Sequence, residues 1–169
     1  PLRRQRQMCI RDRGRTDVAA HAFYRDDITA LLATKLSVEL AVKTGHRLHI
    51  LHLTSGIEAD YLSDYCNLPS KSEEHPIITT EVLPQHLTFD ETDVEEKGVR
   101  LQMNPPIRYS ADREILWSRL NDGTIQCIAT DHAPHTLEAK SKGFPHAPSG
   151  MPGVETSLAV MLNYVNEGK

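Results

Sequence analysis

The sequence predicts an α/β fold with a parallel sheet and crossover helices, and three observations carry that expectation. Helix-period and strand-forming segments alternate from Asp26 onward, a pattern that joins parallel strands through helices. At 169 residues, with 39% hydrophobic and 25% charged residues, the chain has the length and composition to bury a core. Polar clusters follow the strand candidates, at the carboxyl ends where βα folds gather their working residues.

Residues 1–15, "PLRRQRQMCIRDRGR", are basic and have neither apolar periodicity nor the apolar run of a signal peptide. They read as a sequencing scar joined to a truncated reading frame, with a disordered basic arm as the alternative, and stand apart from the fold. Residues 26–45 carry Ile28, Leu31, Leu32, Leu36 and Leu40 at mostly helical spacing, with acids in the first turn and Gly45 as the stop. "RLHILHL" (47–53) is a short apolar strand. Ser55 and Glu58 have capping-box spacing and open a helix with Ile57, Tyr61, Leu62 and Tyr65 on one face. The polar loop "NLPSKSEEHP" leads to the β-branched strand "IITTEV". "RLQM" is a weaker strand before "NPPIR", whose prolines forbid regular structure. "SADREILWSRLNDG" reads as a helix capped by Ser110 and ended at 121–123, and "TIQCIA" (124–129) as a buried strand. A loop rich in proline and glycine, 133–153, then leads to a closing helix with Leu158, Met161, Leu162 and Val165 aligned. Three or four βα units fall short of a closed eight-stranded barrel of about 250 residues. The chain therefore makes a small open sheet or the later part of something larger.

Bulk properties exclude several functions. A net charge of −4 argues against nucleic acid or an anionic membrane as partner. No apolar run approaches the ~20 residues that span a bilayer. Cys9, Cys66 and Cys127 have no paired spacing, which speaks against a disulfide framework or thiolate zinc site and for a reducing cytoplasm.

The chemistry is concentrated in "HLTS" after "RLHI", "QHL" after "ITTEVLP", and "TDHAPH" after "TIQCIA". Imidazole nitrogen and carboxylate oxygen are donors a catalytic zinc takes, with coordination left open for water. His52 and Asp131 lie about two βα units apart, and such strand ends can face one mouth. Each also has a plainer reading, a histidine finishing a strand and an aspartate capping the next loop.

"RLHILHLTS", "EVLPQHLTF", "RLQMNPPIR", "CIATDHAPHTLEAK" and "APSGMPGVETSLAVML" stand in this order, and together they resemble a bacterial class I dihydroorotase of the amidohydrolase superfamily from about His21 onward. The resemblance implies a TIM (β/α)8 barrel, of which residues 16–169 form the C-terminal part, roughly the last three to four βα units. It implies two zinc ions per complete barrel and the reversible conversion of N-carbamoyl-L-aspartate to dihydroorotate plus water in pyrimidine biosynthesis. It implies His52 and Asp131 as metal ligands, with Asp131 also the catalytic acid–base. Asn104, His135, Ser149 and Gly150 match substrate-contacting positions, the glycine letting backbone approach a flat ring. His132 is read as support, and His86 matches a recurrent family histidine with no assigned role. His49 is read as core or helix-packing, and His46, His75 and His146 as solvent-exposed.

The sequence departs from the family as well. No HxH pair stands in it, and the bridging lysine or aspartate and a further histidine ligand are also unaccounted for. The polypeptide by itself is accordingly expected to be inactive and poorly folded. A hydantoinase- or allantoinase-type amidohydrolase and a non-catalytic dihydroorotase-like scaffold are the competing readings. The partners expected of the whole protein are the small-molecule substrate and either a second copy or a carbamoyltransferase.

Overall fold

The computed structural model describes residues 17–66 and 77–169. The basic stretch 1–15 and the whole 67–76 loop, His75 included, lie outside them. The strands β1 (Leu48–Leu53), β2 (Ile78–Val82) and β3 (Cys127–Ile128) form one parallel sheet in that order. Leu48 pairs with Ile78 and Leu53 with Val82, and Val82 in turn pairs with Ile128. The α/β class and parallel pairing match the sequence expectation.

Helices α1 (Ala20–Tyr24) and α2 (Asp27–Thr44) precede β1. The α2 boundaries follow local chemistry. The Asp26 carboxylate accepts the Thr29 N–H at 2.6 Å, and Gly45, at φ 68°, returns its own N–H to the Ala41 carbonyl. The face this helix buries is Thr34, Val38 and Ala41. Ile28, Leu32, Leu36 and Leu40, the stripe that marks the helix in the sequence, are each more than half exposed.

Helix α3 (Gly56–Cys66) joins β1 to β2. The expected capping box is not formed. Ser55 Oγ is buried without a partner among the described residues, and Glu58 instead accepts the Thr34 hydroxyl at 2.7 Å. The cap comes from α6 (Ser110–Asn121), whose Asp112 carboxylate accepts the Gly56 N–H at 2.7 Å. A tertiary carboxylate thus satisfies a helix-end donor that local sequence assigned to Ser55. A Cβ on Gly56 would lie 2.7 Å from Ile115 Cδ1, so the glycine also permits the close α3–α6 approach.

After β2 come α4 (Pro84–Thr88), α5 (Glu91–Lys97) and a 3-10 turn, Gly98–Leu101. The turn replaces the strand expected over "RLQM", because Pro105 and Pro106 follow and carry no N–H for a ladder. Ser110 is not the α6 cap. Tyr109 occupies that position with its N–H on Asp112, while the Ser110 amide and hydroxyl turn to Glu91. "TIQCIA" is only partly a buried strand. Thr124 and Ile125 are buried, but β3 is two residues long and both are exposed, because its outer edge has no partner among the described residues.

The main core lies on the helix side of the sheet, where Leu53, Ile78 and Val82 meet Val38, Leu62, Leu116 and Trp117. A second cluster, Leu83, Val94, Leu101, Met103 and Ile107, lies apart from it and draws in Ala129 and Met151. Helix α7 (Leu137–Lys140) and α8 (Ser157–Asn166) close the chain. α8 docks through Tyr164, which stacks edge-on against Trp117 at 4.9 Å and donates its hydroxyl to Thr88 Oγ1 at 3.1 Å. Leu158, Leu162 and Val165 remain more than half exposed. No helix among the described residues is long and apolar enough to cross a membrane.

Two uncovered apolar stripes and an unpaired strand edge favour self-association. The chain expressed alone is expected to sediment as oligomers and to bind a hydrophobic dye. Leu36→Lys with Leu162→Lys should lower both signals while the helical circular dichroism persists; a monomeric, dye-silent wild type would contradict this.

Candidate active site

Parallel pairing brings the carboxyl ends of all three strands to one edge of the sheet. His52 and Asp131 stand there, on β1 and just beyond β3, two strand spacings or about 10 Å apart in the sheet direction. Their φ values are 39° and 42°, and they are the only non-glycine residues with positive φ among those described. Left-handed backbone costs an L-residue roughly 1–2 kcal/mol and persists where the surroundings impose it. At His52 the imposing features are a register irregularity between Ile50 and Leu53 and the Glu81 carboxylate, which accepts the His52 N–H at 3.2 Å. The His52 ring is half-buried and Asp131 is exposed, and neither functional group bonds to a described residue.

No group of three or more His, Cys, Asp or Glu placed to hold a metal occurs among the described residues. One imidazole and one carboxylate, both uncommitted and on one edge, are donors of the kind zinc takes. They fit as part of a ligand set and do not complete one.

Asn104 is exposed and lies near the buried His21. The loop it belongs to is tied down by His86, a residue whose function the sequence left open. His86 Nε2 donates to the Pro105 carbonyl at 3.3 Å. Burial holds the His86 pKa down to about 3 against that hydrogen bond, so the ring is neutral, and its Nδ1 has no partner among the described residues. His21 is likewise pushed down to about 4, first by burial and then by the charge of Arg25, with Arg108 and Lys140 adding to it.

His135 Nε2 donates to the Ser149 carbonyl at 3.3 Å. Gly150 has φ 145°, and a Cβ there would lie 2.7 Å from the Ala133 carbonyl oxygen and 3.0 Å from His135 Nε2. Its glycine is therefore required by packing against the 133–135 turn, a reason the sequence did not offer. His132 Nδ1 accepts the Gly153 and Val154 N–H groups at 3.1 and 3.2 Å, which ties the segment after β3 to the 150–154 loop.

His49 corrects its sequence reading. It packs in neither the core nor the helix layer but stands exposed on the open face of the sheet, bonded to Thr79 Oγ1 at 2.8 Å and Glu81 Oε2 at 3.1 Å. The strand alternation that buries Leu48 and Ile50 against the helices turns residue 49 outward. His46 and His146 are exposed, as expected. Cys66 is buried and Cys127 exposed, both as free thiols. Arg108, Gln102 and Lys140 are buried polar residues around the site whose roles no motif announced. Arg108 ties the loop of Asn104 to the end of β1 by donating to Thr54 Oγ1 at 3.0 Å.

No family model matches the chain. It is 45% identical over 121 residues to a dihydroorotase of Clostridioides difficile (strain 630), covering 72% of this chain and 27% of that protein. Over 159 residues it is 35% identical to a dihydroorotase of Halobacterium salinarum, covering 93% of this chain and 35% of the relative. Among solved structures it superimposes on an L-hydantoinase (dihydropyrimidinase) from Arthrobacter aurescens with a TM-score of 0.85 at 29% identity, over 98% of this chain and 36% of that one. The chain spans about a third of the length of the curated relatives it matches.

The two buried histidines make stability depend on pH. Their folded pKa values lie below the ordinary histidine value of about 6.5, so the unfolded chain binds more protons. Their contribution is complete above that value and is lost as pH falls toward the folded values. Each should cost about 2 kcal/mol between pH 7 and 5. Urea titrations at both pH values, with His86→Gln expected to lose about half the difference, check this.

Proposed function

By sequence the chain belongs with the dihydroorotases, and we propose on that premise that the protein carrying it is a zinc-dependent cyclic amidohydrolase. It interconverts N-carbamoyl-L-aspartate and (S)-dihydroorotate plus water in pyrimidine biosynthesis. The observation that carries this reading is the pair of strand-end residues, His52 and Asp131, held in left-handed backbone with uncommitted donor groups. We read residues 16–169 as the last three to four βα units of a (β/α)8 barrel, residues 1–15 as non-native, and the protein as cytoplasmic, with a second copy or a carbamoyltransferase as partner.

His52 and Asp131 would hold zinc together with ligands from outside this sequence. Bound zinc supplies polarisation of the amide carbonyl and a water acidic enough to deprotonate near neutral pH. Asp131 takes the proton of the attacking water and delivers it to the departing ring nitrogen; in ring closure it returns the proton to the leaving water. Asn104 holds the ring by its amide, on a loop stiffened by two prolines and anchored by His86. His135 meets the substrate carboxylate, and Ser149 and Gly150 line the ring from their loop. The shared field of Arg25, Arg108 and Lys140 at His21 supports an anionic substrate.

A hydantoinase-type reaction is the second reading, supported by the likeness to the solved L-hydantoinase. Turnover of dihydroorotate, hydantoin and allantoin by the full-length protein separates the two, and preference for hydantoin would replace the first.

In the full-length protein, Asp131→Asn should lower kcat by about 10²–10⁴-fold with the fold retained. Substantial residual turnover would remove Asp131 from proton transfer. His135→Ala should raise KM roughly tenfold with a smaller change in kcat; an unchanged KM would refute its contact with substrate.

A further inference from the structure

Lys140 ends the short helix α7 and is buried, 7% exposed, beneath the loops that carry Asn104, His135 and Ser149. Its ammonium makes no ion pair with a carboxylate among the described residues; its hydrogen bond goes to the Gln102 carbonyl at 2.7 Å. Burial alone lowers its pKa. An ammonium in such a place is costly, and an apolar side chain would fill the space without that cost.

The bonds around it form a closed ring. The carbonyl that receives Lys140 also accepts the Gly150 N–H at 3.0 Å. The amide of the same Gln102 donates to the Ala147 carbonyl at 2.8 Å and to Ser149 Oγ at 3.3 Å. The Ser149 carbonyl accepts from His135 Nε2. His135 lies just before Thr136, whose hydroxyl caps α7 by accepting the Ala139 N–H at 3.1 Å, and α7 leads back to Lys140. Residues 135, 149 and 150 are thereby set relative to one another, Gly150 by the Gln102 carbonyl, Ser149 by the Gln102 amide and His135 by the Ser149 carbonyl.

Resting on the function proposed above, we propose that Lys140 is a positioning residue for substrate binding, holding the Gln102 carbonyl so that the 147–150 segment and His135 keep a fixed spacing. A charge-assisted hydrogen bond is stronger and shorter than a neutral one. Its loss frees the carbonyl to rotate and lets the glycine loop drift from His135.

The test uses the full-length protein and the variant K140M. KM for dihydroorotate should rise about tenfold while kcat stays within about threefold, with zinc content unchanged. Trypsin should cut after the exposed Lys142 several times faster, because the loop is no longer tied. An unchanged KM, or a loss of kcat equal to the rise in KM, overturns the proposal. Should K140M fail to fold, K140Q, which keeps a neutral donor in place of the ammonium on the Gln102 carbonyl, must show a KM rise in the same direction with kcat within about threefold, and an unaltered KM overturns the proposal. A wild type that leaves dihydroorotate untouched defeats the proposed function instead, and the trypsin comparison then decides the clamp, equal rates of cleavage overturning it.

Discussion

Parallel strands cannot be joined by a tight turn, so each connection crosses back through a helix and every strand ends at the same edge. That constraint organises the whole molecule. It puts the end of β1 and the residues beyond β3 on one edge, with only β2 between them, although nearly half the chain separates them in sequence. It confines the main core to the helix side, where Leu53, Ile78 and Val82 are buried, and leaves His49, Thr79 and Glu81 on the opposite face. The left-handed backbone at His52 and Asp131 is tolerable because the sheet holds the residues before each of them.

The loops around this edge are fixed by buried polar groups as well as by the second apolar cluster. Neutral His86 anchors Pro105, Arg108 joins the same loop to Thr54, and Gln102 gathers the 147–150 segment. Each such bond lies in a low-dielectric setting where an unmade partner is expensive, so the network resists distortion. The same burial makes the histidines reluctant to take up protons. Rigidity at the mouth and sensitivity to acid therefore share one cause.

Much of the fold was legible because local chemistry and tertiary packing agree. Asp26 and Gly45 bound α2 as their side-chain preferences dictate, and the β-branched "IITTEV" is a strand. Where they disagree, a distant group prevails. Asp112 caps Gly56 in place of Ser55, Glu91 draws Ser110 away from capping, and two prolines deny "RLQM" a ladder. His52 and Asp131 were nominated by residue type at strand ends. Gln102 and Lys140 lie within the recurring blocks but had no assigned role, and their burial depends on loops far apart in sequence.

The sequence by itself determined the alternation of helix and strand, the parallel pairing that follows from it, and the residue types at the strand ends, since these depend on periodicity and side-chain chemistry within a few residues. Which face of α2 is buried was decided only by tertiary structure. So were the outward turn of His49 and the packing that makes Gly150 a glycine. Each depends on what lies across the sheet or in another loop, and no local preference encodes a neighbour that arrives from elsewhere in the chain.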